Sequence, residues 1–304
     1  LGYNAGKLMV TSSDNTAVGA YAGGGGIVNS GTKDGQYNSA IGKDALGWLT
    51  SGDGNVAVGY KTLSGTQGTP QTGDYNVAVV YGAGQYNMHN GSSAVKTDYN
   101  IGIGYYAAAA SHAHHNIGIG YEVMRNQYTT NPYNIGIGYK ACRSITSAQD
   151  SIAIGREALG VGVLTGSDNI AIGQKTGQNL TSGNNNYLIG REVGLNLTTG
   201  SYNLALGRRA AYNSTTGLNN IIFGYSAGYN VTTAQYNVAI GDQALYGGSG
   251  SNVTGGNNIA IGNQAGYDIN TGDSNTCIGY SAGGNITTSN YNTCIGRSAG
   301  NNIT

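Results

Sequence analysis

The feature that most constrains this chain is self-similarity. A five-residue motif, Asn-x-Ala-Ile-Gly with close variants, recurs from one end of its 304 residues to the other. It reads Asn15-Thr16-Ala17-Val18-Gly19 early on, and Asn169-Ile170-Ala171-Ile172-Gly173 later. The closing glycines Gly173, Gly190, Gly207, Gly224 and Gly241 are spaced by 17, as are Gly262, Gly279 and Gly296, while steps between Gly19 and Gly155 run from 16 to 24. A fixed period of this length marks a stack of small units, none of which can bury a face alone. Two copies depart from the pattern. Val80 stands where the closing glycine belongs, and Asp150 takes the place of Asn ahead of Ser151-Ile152-Ala153-Ile154-Gly155.

Composition excludes the competing classes. The 54 Gly come with only 2 Pro and no every-third-residue pattern, so a collagen helix fails. With 14 basic and 14 acidic side chains there is too little charge for a coiled coil or charged disorder, and no basic stripe to neutralise phosphates; nucleic acid is not an expected partner. No run approaches the roughly 18 apolar residues of a membrane span. One Phe and one Trp against 24 Tyr suit a core one side chain deep, not a globular interior. Three cysteines, Cys142, Cys277 and Cys294, are too few for a disulfide framework.

Within a period, Ile170 and Ile172 around small Ala171 alternate with period two, which predicts a short strand with Ile inward. Only Ala, Thr, Val or Gly stands three residues past the motif glycine, predicting close packing there. A third piece such as Asn196-Leu197-Thr198-Thr199-Gly200 turns one apolar residue inward. The expected fold is all-β: a parallel β-solenoid, or β-roll, of about seventeen 17-residue coils, forming one continuous array over 1–304 with irregular coils over 1–155 and regular ones over 156–304. At about 4.8 Å per coil it would make a rod of about 80 Å. Equivalent residues then stack, so Asn169, Asn186, Asn203, Asn220, Asn237, Asn258, Asn275 and Asn292 form a structural carboxamide ladder. Tyr37, Tyr75, Tyr99, Tyr133, Tyr202, Tyr236 and Tyr291 precede the motif Asn, and ring stacking on the ladder is the simplest account.

Gly224-Tyr225-Ser226-Ala227-Gly228-Tyr229-Asn230-Val231-Thr232-Thr233, and likewise Gly279 through Thr288, resemble the NTAVGYQAL…NTTGxxN repeats of bacteriophage tail fibres and large bacterial surface proteins. More distantly they are similar to the heads of trimeric autotransporter adhesins. The resemblance covers nearly the whole chain and implies a β-roll, often three chains around one axis, that serves as a stalk or adhesive shaft.

Several patterns compete as sites. Gly102-Ile103-Gly104-Tyr105-Tyr106-Ala107 satisfies a dinucleotide fingerprint on paper, but it is one phase of the array and lacks the following helix; no cofactor is expected. His112 and His114, two apart on a strand with His115 beside them and His89 upstream, present imidazoles on one side, a ligand set for a transition metal if three chains meet; phage fibres use His-x-His in this way. The competing reading is a solvated loop. Cys277 and Cys294 are one period apart, either a disulfide across coils or two Cys in place of Ala. Asn179, Asn196, Asn213, Asn230, Asn252, Asn285 and Asn302, with Asn90, open Asn-x-Ser/Thr sequons, read equally as glycan acceptors or as turn formers. The acids, such as Asp150, Asp168 and Asp273, are scattered over turns without a converging catalytic set, so no enzyme is expected.

The expected role is the structural shaft of an extracellular fibre or filament, on a virion or a cell surface, whose partners are copies of itself in a homotrimer or head-to-tail polymer. Both ends fall within a repeat, Leu1-Gly2 and Asn302-Ile303-Thr304, which favours a longer filament. Two other classes stay open: an adhesin module whose Tyr and Thr rows hold cell-surface carbohydrate, and an ice-binding solenoid, against which the Asn-x-Thr face is broken at Asp268.

Overall fold

The computed structural model describes residues 1–7, 13–24, 35–48, 51–65, 73–85, 98–108, 113–126, 132–248, 251–301 and 303. The chain forms two compact units, Leu1–Asp150 and Ser151–Thr304, divided close to where the spacing becomes regular. The first holds β1 (Thr16–Val18), β2 (Ser39–Ile41), β3 (Val56–Val58), β4 (Val77–Val79), β5 (Ile101–Ile103), β6 (Ile117–Ile119) and β7 (Ile135–Ile137). The second holds β8 (Ile152–Ile154), β9 (Ile170–Ile172), β10 (Tyr187–Ile189), β11 (Leu204–Leu206), β12 (Ile221–Phe223), β13 (Val238–Ile240), β14 (Ile259–Ile261), β15 (Thr276–Ile278) and β16 (Thr293–Ile295). In each unit every strand pairs in parallel with the next, in register: Ile170 lies beside Tyr187, Tyr187 beside Leu204 and Leu204 beside Ile221. No α-helix occurs among the described residues. The fold is the parallel β-solenoid that the spacing predicts.

Strand polarity is the reverse of the expectation. Ala171 is buried, whereas Ile170 and Ile172 on either side of it are only half-buried and face outward. The same holds along the array, where Ala40, Ala57, Ala205, Ala239 and Ala260 are inside. Period two fixes alternation but not which set turns in. Interior width decides it, because the chain bends too sharply to enclose two branched side chains per strand.

The bends explain the width. In the coil that follows Gly190, positive φ occurs at Gly190 (132°), Glu192 (59°), Gly194 (53°) and Tyr202 (60°). Left-handed φ costs most residues about 1–2 kcal/mol, yet the pattern recurs coil after coil. The position before the motif Asn is therefore held by residues that tolerate it, such as Asp14, His115, Asn185 and Asn257 as well as the tyrosines. Asp150 belongs to this set, with φ 54°. The ladder position in that coil is Ser151, whose Oγ accepts the Asn169 backbone N–H at 3.3 Å, so Asp150 does not replace the motif Asn.

Three inward rows fill the interior: the strand centre, the residue three past the motif glycine, and one aliphatic side chain. Ala158, Thr176, Val193, Ala210 and Ala227 make the second row, all fully buried. The third is filled in two alternative ways. Leu46, Leu63, Met124, Leu159 and Leu245 enter four residues past the motif position. Where that residue is glycine, as at Gly177, Gly194, Gly228, Gly266 and Gly283, the fill comes three residues later from Leu180, Leu197, Val231, Ile269 and Ile286. A Cβ on Gly266 would stand 2.9 Å from Ile269 Cδ1, so the glycine makes room for that side chain, while the Leu159 and Leu245 coils bury Leu164 and Val253 as well.

The motif glycines stack backbone against backbone. A Cβ on Gly224 (φ 139°) would lie 2.6 Å from the Gly241 carbonyl carbon, whereas one on Gly296 (φ 118°) would meet nothing within 4 Å. Gly224→Ala should therefore lower the melting midpoint well beyond Gly296→Ala, which bears only the backbone strain of about 1–3 kcal/mol. Equal shifts in thermal denaturation followed by circular dichroism would show that the close approach is not limiting.

Candidate functional site

The ladder asparagines are bonded on all sides. Asn203 Nδ2 donates to Asn186 Oδ1 (3.0 Å) and to the Gly217 carbonyl (2.8 Å), and Asn186 Oδ1 also accepts the Asn203 backbone N–H (3.2 Å). Corresponding bonds from the backbone N–H to the preceding Oδ1 run through Asn220, Asn237, Asn258, Asn275 and Asn292. Both amide protons and both oxygen lone pairs are used, which no other side chain of this size can do.

A second column lies two residues earlier, and sequence reading missed it. Asp53 Oδ1 accepts the Gln36 N–H (2.7 Å), Asp74 Oδ1 that of Asp53 (2.9 Å), and Asp98 Oδ1 that of Asp74 (2.8 Å). His114 closes the run, its Nδ1 accepting the Asp98 N–H at 3.1 Å. That bond makes His114 a rung of the turn column. His89 and His112 lie outside the described residues, and among the described residues no group of three His, Cys, Asp or Glu gathers that could hold a metal.

The tyrosines before the motif Asn stack only where the neighbouring rung is aromatic. Tyr75 and Tyr99 (5.3 Å between centroids) continue through His115 (5.0 Å) to Tyr133 (5.0 Å). Tyr202 instead stands between Asn185 and Asn219. Two further columns were legible in the spacing but unrecognised. Tyr81, Tyr105, Tyr121 and Tyr139 stack at 5.1–5.3 Å in the first unit, and Tyr212, Tyr229, Tyr246 and Tyr267 at 5.0–5.2 Å in the second.

The sequon asparagines form another ladder. Asn179 Nδ2 donates to Asn196 Oδ1, Asn196 Nδ2 to Asn213, Asn213 Nδ2 to Asn230, and Asn230 Nδ2 to the Gly247 carbonyl, at 2.8–3.2 Å. The nitrogen that a glycan would occupy is the donor of each rung. Asn252 and Asn285 are exposed; Asn90 and Asn302 lie outside the described residues. Thr181, Thr198 and Thr215 donate their hydroxyls to the next rung's carbonyl at 3.0–3.2 Å, so this row too is engaged along the axis.

Charges pair within and between coils. Glu122 is buried among Arg125, Lys140 (4.0 Å) and Arg143 (3.4 Å), and Glu192 bonds Arg209 (2.8 Å) and Arg191 (3.2 Å). The Arg209 hydrogen bond, helped by the Arg191 charge, holds the Glu192 carboxyl below its usual range against the opposing effect of burial. The three cysteines are free and buried, and burial pushes the Cys142 and Cys277 thiols up to about 12. Cys277 and Cys294 pair in register at the strand-centre position otherwise held by Ala, as substitutes for that small residue.

Comparison with protein-family models, with curated proteins and with solved structures returns no match.

Two outcomes follow from these groups. A thiol reagent at about pH 8 should leave Cys142 and Cys277 unlabelled in the native protein and label them in denaturant, since only the thiolate reacts; rapid native labelling would contradict their burial. A depressed carboxylate adds stability above its unfolded pKa that is lost as pH falls through its folded one. Glu192→Gln should therefore lower the melting midpoint at neutral pH and flatten its decline below about pH 4.5, the ordinary value; an unchanged acid limb would remove Glu192 from the linkage.

Proposed function

We propose that this chain is the structural shaft of an extracellular fibre or filament, of phage tail-fibre or cell-surface type, built by association of identical copies. Its work is mechanical rather than catalytic. The observation that carries the reading is the reversed strand polarity. In each unit most of the aliphatic side chains of the strands stand on the outer face, in two rows separated by a buried centre that is small except at Leu188 and Ile222. Leu206 is 45% exposed, Ile221 39% and Ile259 37%, with Tyr187 and Ile189 alongside. Monomers rarely leave so continuous an apolar face to water, and closed self-association is the usual way to cover one. The residue resemblance to fibre repeats points the same way, and the axial ladders supply stiffness, since stability in such a stack sums over neighbouring coils.

Sedimentation velocity at tens of micromolar should then give a trimer or longer species, and Leu206→Lys with Ile259→Lys should shift it to monomer without changing the β signal in circular dichroism. A monomeric wild type would sink this reading.

A further inference from the structure

One aromatic column ends inside the second unit on an open ring face. Tyr212, Tyr229, Tyr246 and Tyr267 occupy the same rung position, and Tyr246 covers one face of Tyr267 at 5.1 Å and 6° between planes. The next residue of that column is Gly284, which has no side chain to cover the other face. Between them opens a cavity of about 340 Å³, lined by Tyr267, Gly284, Gln264, Asp268, Asn285 and Asn301 among others. Tyr267 and Asp268 are half-buried, and burial pushes both above their ordinary values. Tyr229 and Tyr246 have stacked rings on both sides, and Tyr212, at the column's other end, has Tyr229 on one side and the Arg209 guanidinium over its ring at 5.7 Å.

We propose that this cavity is a binding subsite for one neutral pyranose ring. The chemistry is an apolar platform the size of one sugar face, rimmed by side-chain amides that both donate and accept and by one carboxylate that accepts. Among the described residues no Lys, Arg or His lines it, which disfavours phosphorylated or acidic sugars. A quaternary ammonium ion is the other guest a tyrosine and an aspartate can attract, but such cages surround the cation with several rings, and among the described residues only the Tyr267 ring lines this cavity. All its described lining residues belong to one unit, so no second copy of the chain is needed to complete it.

Gly284 offers a direct test. Its φ lies outside the left-handed region, and a Cβ there would meet first the Asn301 Oδ1, the end of a flexible side chain. Gly284→Tyr should therefore fold, extend the column and close the cavity. Saturation-transfer NMR would use millimolar methyl glycosides of glucose, galactose, mannose and N-acetylglucosamine, with tetramethylammonium in parallel. At least one glycoside should bind the wild type, with at least tenfold weaker binding to Gly284→Tyr and to Tyr267→Leu and an unchanged or higher melting midpoint for Gly284→Tyr. Should one variant lose the wild-type circular dichroism, the other decides. No glycoside signal, a signal undiminished in the folded variants, or binding of tetramethylammonium alone would each overturn the proposal.

Discussion

The structure depends on one polar requirement, that a carboxamide turned into a narrow interior has all of its hydrogen-bonding capacity met. Each motif Asn meets it only if the coil before supplies an acceptor and the coil after a carbonyl, as Asn186, Asn203 and Gly217 show. An unsatisfied buried amide costs about 1–3 kcal/mol. A coil sliding by one residue would therefore lose a bond on both sides at once, and would also turn its strand inside out. Register is thus set by polar groups, whereas in most sheets the apolar pattern sets it. Insertions such as the 21-residue step from Gly241 to Gly262 are absorbed between ladder positions, since Asn258 still donates its N–H to Asn237 Oδ1 at 2.9 Å.

The small interior follows from the same geometry. Recurrent left-handed corners and a glycine in extended left-handed space fold each coil tightly, and such backbone is tolerated only where the surroundings over-determine it. The axial hydrogen bonds do so, with Tyr187 N–H to the Asn203 carbonyl at 2.8 Å and Glu192 N–H to the Gln174 carbonyl at 2.9 Å. Val80 shows the constraint from the other side. Replacing the motif glycine, it moves to φ 85°, and a Cβ on Gly59 would meet its carbonyl carbon at 3.0 Å, looser than the 2.6 Å of the Gly224 and Gly241 pair.

Much of this was legible in the residues. Spacing predicted the parallel stack, the Asn ladder and the close packing at Ala227 and its counterparts, because translation along the axis is written directly as period. Facing was not legible, since Ile170-Ala171-Ile172 alternates identically whichever set points inward and only the corners decide. Nor was the alignment of Asp150 and Ser151: both are small and polar, and what separates them is that one tolerates φ 54° while the other presents an acceptor to Asn169. The role of His114 in the turn column was hidden for a related reason, since only its register places the imidazole in line with the Asp53, Asp74 and Asp98 acceptors.

Periodicity also bears on where specific chemistry can sit. In a stack held by nearest-neighbour contacts, a change at one rung disturbs two neighbours and no more. Ser151, Val80 and the Cys277–Cys294 pair are each accommodated in this way, by a substitute acceptor, a shifted φ and a slightly larger side chain respectively. A regular column offers every rung the same environment and every ring face a neighbour, so it stabilises without discriminating. Discrimination requires a rung unlike those beside it, and Gly284 above Tyr267 is such a rung: the contact missing from the column is the one an incoming ring would make.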